Sequence, residues 1–350
     1  MNNLSLYGWN DSLFQLKQIS QYKDLFHGRV SAVNKTNYEV ITEGGLVLCE
    51  LSGNVLYGRP LFELPCTGDW IVFQPFDDNK GVIVDVLPRK HTLCRRKSGT
   101  ISDRQAIASH VDKAFIVQSL DANFSVRRTE RFMVQILEEN IQPALILTKS
   151  DLEFSRYQVN ESLKHIASQM PIFFTSILSP ETILPVRKFI KHGESIVFVG
   201  SSGVGKSSLI NALCERTVFL TAEISKSSGK GRHTSTRREM VLMEDGGILI
   251  DTPGIREFGL ASDNPEALAD IFDVSDFAES CHFENCTHVE EPGCAVVKAV
   301  KNGLLEQEVY SSYLKLRKES WHFSTSEHEK RKRDKSFARI SDEAKRIKKR

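Results

Sequence analysis

Residues 195–208 read SIVFVGSSGVGKSS. The run 195–200 is short, apolar and rich in β-branched and aromatic residues, as a buried strand requires. It delivers the chain to Gly200-Ser201-Ser202-Gly203-Val204-Gly205-Lys206-Ser207, which matches G-x-x-x-x-G-K-[ST] and is followed by Ser208. A glycine-bearing turn between a strand and a helix, expected here to start at Ser207, leaves backbone N–H groups free to surround phosphate oxygens. Only glycine lets a backbone come that close. Lys206 and Ser207, expected on a solvent-facing loop, would neutralise β/γ-phosphate charge and ligate Mg2+, respectively. The stretch therefore places an α/β phosphate-binding domain in the middle of the chain.

Working outward, residues 113–120 (KAFIVQSL), 143–148 (PALILT), 171–175 (PIFFT) and 247–251 (GILID) read as further buried strands. Residues 128–139, with Phe132, Ile136 and Leu137 on one face, read as an amphipathic helix between them. Alternating strands and helices argue for a mostly parallel sheet. GILIDTPG, 247–254, sets Asp251 at a strand end, where it could hold Mg2+ through water, and Gly254 where its N–H could meet a γ-phosphate. Residues 226–238 (KSSGKGRHTSTRR) suit a switch loop, with Thr234 and Thr236 as candidates to reach Mg2+. Thr148-Lys149-Ser150-Asp151 matches [NT]-K-x-D: the Asp151 carboxylate would accept from guanine N1–H and N2–H2, and the Lys149 stem would lie over the base. Ser176 is a candidate to back the guanine carbonyl. Thr148 stands where Asn is commoner, a change that bears on one hydrogen bond bracing this loop rather than on the choice of base. In an ordinary GTPase the phosphate loop comes first and the base-reading loop last. Here TKSD precedes the phosphate loop, so the nucleotide-binding elements read as circularly permuted.

Before about residue 90 the chain shows short β-rich runs, 27–42, 45–57 and 69–88, broken by Gly, Asn and Asp turns. Such runs fit an OB-like β-barrel, which commonly binds oligonucleotides, although an SH3-like barrel would look similar. The expected division is a barrel over residues 1–90, the permuted GTPase domain over 91–264 and a helical zinc-binding domain with a basic tail over 265–350. The 350-residue chain has a formal net charge of +1. That average hides fourteen Lys or Arg against six Asp or Glu in residues 315–350, and five basic residues with no acid in 86–102. Both segments suit polyanions. No apolar run has the length of a signal peptide core or a membrane span, so a cytoplasmic protein without a membrane partner is expected. Seven cysteines, three of them crowded at Cys281, Cys286 and Cys294, suit a reducing compartment and a metal site better than a disulfide framework.

The permuted order TKSD, GSSGVGKSS, GRHTST, DTPG, followed by C-x4-C-x-H-x5-C, resembles the RsgA family of small-ribosomal-subunit-dependent GTPases, also called YjeQ or YloQ. The resemblance also takes in YGWN near the amino terminus and RQAIASHVDKAFIV. It implies an OB-fold, a permuted GTPase domain and a zinc domain, with GTP hydrolysis stimulated by the small ribosomal subunit in its late maturation. The implied partners are that subunit, its rRNA and GTP or GDP, and a monomer is expected. Cys281, Cys286, His288 and Cys294 form a closed Cys3His set suited to one structural Zn2+ with no open position for catalysis. His282 could compete as a ligand, and the family pattern selects His288. Ile255 occupies the position where Ras-like enzymes place the glutamine that orients water, so intrinsic turnover should be slow, with His233 the candidate proton-handling group. The alternative is an RNA-binding scaffold that uses GTP as a structural or regulatory ligand.

Overall fold

The structure, a computed structural model, describes residues 3–96, 104–219, 238–252 and 265–324. The chain divides into two units, Met1–Arg96 with Asp103–Gly259, and Lys97–Ser102 with Leu260–Arg350.

In the first unit, β1 (Phe26–Val33), β2 (Tyr38–Thr42), β3 (Gly45–Leu51), β4 (Trp70–Asp77) and β5 (Lys80–Val86) pair in the order β1-β2-β3-β5-β4, and β4 returns to β1. Closure removes the open edges that a five-strand sheet would otherwise present. Val30, Val40, Cys49, Ile71, Phe73 and Ile83 fill the interior of the barrel. The β-run expected to reach residue 57 stops at Leu51. Ser52 ends it by capping the helix Gly53–Gly58, its hydroxyl accepting from Val55 N–H at 3.4 Å. A further helix, Asp11–Ile19, was not legible in the sequence. Asn10 caps it, and its Leu13 and Leu16 join Trp70, Val72 and Leu87 in a cluster against the barrel.

The other half of the unit contains β6 (Leu93–Arg96) and β7 (Arg104–Ala108), a two-stranded antiparallel sheet, then β8 (Lys113–Ser119), β9 (Gln142–Thr148), β10 (Ile172–Phe174), β11 (Ser195–Val199), β12 (Arg238–Leu242) and β13 (Ile248–Asp251). Strands β10, β9, β8, β11 and β13 run parallel in that spatial order. Every residue of β8 and β11 is buried, as expected for parallel strands covered on both faces. The helix Val126–Glu138 packs on β8 and β9, with Ser125 as its cap. Phe115, Phe198, Ile196, Leu209, Ile210, Leu213 and Leu249 belong to the main core.

Strand β12 is antiparallel to both β13 and β1, where Ala32 pairs with Glu239 and Val33 with Arg238. Barrel and parallel sheet are thereby one continuous hydrogen-bonded sheet. Arg29, 1% exposed, strengthens the junction: its Nε donates to Gly68 O at 3.0 Å and its Nη2 to Ser195 Oγ, at the start of β11, at 2.9 Å. These pairings offset part of the buried charge's loss of hydration, which still lowers the Arg29 pKa to about 10.

The second unit is helical in its described residues: Pro265–Ile271, Ser275–Ala278, Ala295–Lys301 and Gln307–Ser324. Leu268, Phe272, Val274, Val296, Ala299, Leu305, Tyr313 and Leu316 are among its buried apolar residues. The helical stretch read over 295–318 is two helices, separated at Gly303, whose φ of 71° ends the first.

Candidate functional site

Parallel pairing puts the carboxyl ends of five strands at one edge of the sheet. Ser119 pairs with Thr148, Phe174 with Leu147, Val199 with Ile116, and Asp251 with Phe198. The loops that follow β8, β9, β10 and β11 converge there, as ligand sites do in open α/β sheets.

The phosphate loop is held against β8. A Cβ on Gly200 would lie 2.3 Å from the Val117 carbonyl oxygen, and its φ of 149° suits only glycine. Gly205, with φ of 95°, is the residue before the helix Lys206–Leu213, which begins one residue earlier than the sequence suggested. Lys206 is buried rather than solvent-facing: its ammonium donates to Gly200 O at 2.6 Å and Ser201 O at 2.8 Å. Burial lowers its pKa below the ordinary lysine value, against the opposing pull of the Asp251 carboxylate. A cation folded onto the loop carbonyls in this way marks the place where phosphate charge could be received. Ser207 is half-buried at the helix start, and Asp251, 1% exposed, ends β13. Thr252 beside it donates to the Phe198 carbonyl and locks that strand end to β11.

At the TKSD loop the bracing hydrogen bond that the Thr148 substitution brought into question is present. The Thr148 hydroxyl lies 2.5 Å from Val204 O and 3.2 Å from Gln118 O. Its single proton serves the shorter contact, so threonine ties TKSD to the phosphate loop by itself. Ser150 N–H donates to Thr175 O at 3.0 Å, joining this loop to the one after β10. There the Ser176 hydroxyl donates to Asp151 Oδ1, which orients an exposed carboxylate. Ser176 is itself fixed by Thr182, whose Oγ1 accepts from Ser176 N–H at 2.9 Å. Lys149 has a left-handed backbone, φ 59°, and its ammonium bonds Asp121 Oδ2 at 2.7 Å. Asp121 was missed by the motif reading; its only signal in the sequence is its place directly after the apolar run that forms β8.

In the second unit the ligand atoms of Cys281, Cys286, His288 and Cys294 all lie within 4.8 Å of one another. Cys281 Sγ and Cys294 Sγ are each 3.6 Å from His288 Nδ1 and 3.9 Å from each other. Tetrahedral zinc with Zn–S about 2.3 Å and Zn–N about 2.0–2.1 Å needs edges of about 3.8 Å and about 3.6 Å. The set fits. His282 stacks edge-on against Phe283 at 4.7 Å and takes no place in the cluster. The His288 carbonyl accepts from Tyr310 Oη at 2.6 Å, which fixes a candidate ligand whose own φ is 59°. Glu291 accepts from the Thr287 and Val289 N–H groups at 2.9 and 3.0 Å and so shapes the turn between ligands.

Of the remaining candidates, Ser202 and Gly203 are exposed on the phosphate loop, and Ser201 and Ser208 are half-buried. His233, Thr234, Thr236, Gly254 and Ile255 lie outside the described residues.

The profile of the RsgA GTPase family matches residues 86–261. The small ribosomal subunit biogenesis GTPase RsgA 1 of Bacteroides thetaiotaomicron is 63% identical over 347 residues, 99% of this chain and 98% of that protein. The chain belongs to the RsgA GTPase family. It is a GTP hydrolase. The crystal structure of YjeQ from Thermotoga maritima matches with a TM-score of 0.62 and 27% identity, covering 85% of this chain and 98% of that one. That of YloQ, a circularly permuted GTPase, matches with a TM-score of 0.60 at 24% identity over 87% of this chain and 98% of that one. The permuted order read from TKSD and GSSGVGKS is thus the order of an RsgA-family GTPase, with a β-barrel before it and a metal-competent Cys/His cluster after it. No helix among the described residues is long and apolar enough to cross a membrane.

Proposed function

We propose that this chain hydrolyses GTP to GDP and phosphate on the small ribosomal subunit during that subunit's late maturation, with rRNA among its contacts. The observation that carries the reading is end-to-end similarity to a relative named for small-subunit biogenesis, 63% identical across barrel, GTPase domain and cysteine cluster together.

In this reading Asp151, oriented by Ser176, takes the two guanine donors, and Lys149 covers the base. Adenine offers no such donor pair. The backbone N–H groups of residues 200–208 receive the phosphates, while Lys206 trades the Gly200 and Ser201 carbonyls for phosphate oxygens. Ser207 and Asp251 would hold Mg2+, which neutralises charge that develops on the β- and γ-phosphates. Thr234 or Thr236 and Gly254 complete the γ-phosphate contacts, and His233 is the candidate for handling a proton. With Ile255 in place of a water-orienting glutamine, the chain's own groups leave the attacking water poorly held. A partner supplies what is missing, and stimulation on the order of 10³–10⁵ is available to such a mechanism.

The cysteine cluster takes Zn2+. Three thiolates and one imidazole within 4.8 Å of one another would form a closed structural site, so the metal would shape the domain and do no chemistry. Arg95, exposed on β6, the neighbouring Arg96 and Lys97, and the tail Lys330-Arg331-Lys332-Arg333 meet RNA phosphates. Domain limits near residues 90 and 264, a monomeric state and a cytoplasmic setting belong to the same proposal.

The test is GTP turnover against added small subunits at rising salt, for the full chain and for a chain ending before Lys330. Turnover should rise with subunits and fall as salt displaces the basic segments from phosphate. Turnover indifferent to subunits at low salt would refute the proposal.

A further inference from the structure

We propose that Asp121 is a positioning residue for guanine recognition, one that aims Lys149 at the base through its second carboxylate oxygen. The inference rests on reading Lys149 and Asp151 as the base-reading pair.

The two oxygens of Asp121 divide the work. Oδ1 accepts from Ser119 Oγ at 2.8 Å and from Asn123 N–H at 2.9 Å, and those bonds shape the loop after β8. Oδ2 makes no part of that turn; it faces the Lys149 ammonium at 2.7 Å. The register explains why the two residues meet. Ser119 and Thr148 are partners at the ends of β8 and β9, so the next residues of each strand leave the sheet side by side. Lys149 then turns through a left-handed backbone, φ 59°, and the Asp121 contact gives its long flexible side chain a set direction. Burial pushes the Asp121 carboxyl up, but the hydrogen bonds from Lys149, Asn123 and Ser119 together outweigh it and hold the group down at about 2. The carboxylate is therefore ionised at every pH at which the protein would work.

A partly exposed ion pair of this kind adds little to folding. Its consequence lies in binding: a lysine already held in one direction gives up less freedom when a base slides beneath it. Asp121 thus belongs to nucleotide affinity, and its effect should appear mainly in the dissociation rate.

Asp121→Asn separates the two jobs, because asparagine keeps an Oδ1 acceptor for the loop and replaces Oδ2 with an amide that repels the ammonium. The experiment measures binding and dissociation of a ribose-labelled fluorescent GDP for wild type, Asp121→Asn, Lys149→Met and the double variant, with urea midpoints for each. The expected result is about tenfold weaker GDP binding in Asp121→Asn through faster release, an unchanged midpoint, and no further loss when it is added to Lys149→Met. Wild-type affinity in Asp121→Asn beside a weakened Lys149→Met would overturn the proposal and leave the base-reading pair standing. A full, additive loss in the double variant would also overturn it, since Asp121 would then act through its loop. Unchanged affinity in Lys149→Met would remove the base-reading role and the proposal together.

Discussion

The Thr148 hydroxyl donates to the Val204 carbonyl across 2.5 Å, so the loop proposed to read the base and the loop proposed to receive the phosphates are joined by a hydrogen bond. The two residues are 56 positions apart in the chain, and both are nearly fully buried. Thr148→Val keeps the shape and removes the donor. It should leave a buried carbonyl unsatisfied, cost about 1–3 kcal/mol in urea unfolding, and weaken GDP binding without abolishing it. A variant with wild-type midpoint and affinity would show that the two loops do not depend on this bond.

Asp151→Asn replaces one of two acceptors with a donor. GTP affinity should fall on the order of 10- to 100-fold, the loss expected for hydrogen bonds to a charged group, and xanthosine triphosphate should become the better ligand. Direct competition between the two nucleotides reads the outcome. Wild-type protein that binds ATP as well as GDP would show that this loop does not choose the base.

Lys206→Ala should abolish turnover but leave the urea midpoint unchanged or slightly raised, because the side chain it removes is a buried cation whose charged form is already disfavoured. Single-turnover GTP hydrolysis together with a urea titration separates the two effects. Retained hydrolysis would displace Lys206 from the phosphate site.

Purified without chelator, the protein should carry one zinc. Apparent binding in comparable zinc-finger peptides is on the order of 10–16 kcal/mol at neutral pH. Cys286→Ser should reduce metal content and raise amide exchange across residues 281–294 while GDP binding persists. Elemental analysis that finds no zinc in the wild type would count against the site.

His110 sets an acid limit on stability. Burial lowers its pKa to about 4, helped by the Arg29 charge, and its Nε2 is buried without a hydrogen-bond partner. The sign follows from the two states. Between pH 6.5 and about 4 the unfolded chain holds a proton that the native imidazole refuses, so stability falls as pH falls through this window and changes no further below it. The full effect is at most about 3–4 kcal/mol. His110→Asn, which tolerates the left-handed backbone at φ 52°, should flatten the slope of urea midpoint against pH over that range. An unchanged slope would place the acid sensitivity elsewhere.

Much of the site was legible because its parts are local. The glycines of residues 200–205, the lysine after them and the apolar run before them are a strand, a turn and a helix start written in consecutive residues. The Cys3His spacing needs only fourteen residues to close. The helix Asp11–Ile19 was not legible, since its apolar side chains are few and their role emerges only against Trp70. Ser52, just past the end of β3, was open to reading as a cap, but the β-rich residues around it dominated the pattern.

The order of the motifs, and with it the permutation, belongs to the sequence alone, because each motif carries its chemistry in a few adjacent residues. Tertiary structure decided which motifs touch. Asp121 meets Lys149, Ser176 meets Asp151, and Thr148 reaches Val204 because parallel registers bring separate strand ends to one edge. The joining of barrel and GTPase sheet through β12 is of the same kind. Register is set by the burial of whole faces of the sheet, a property of the complete core that no local run of residues contains.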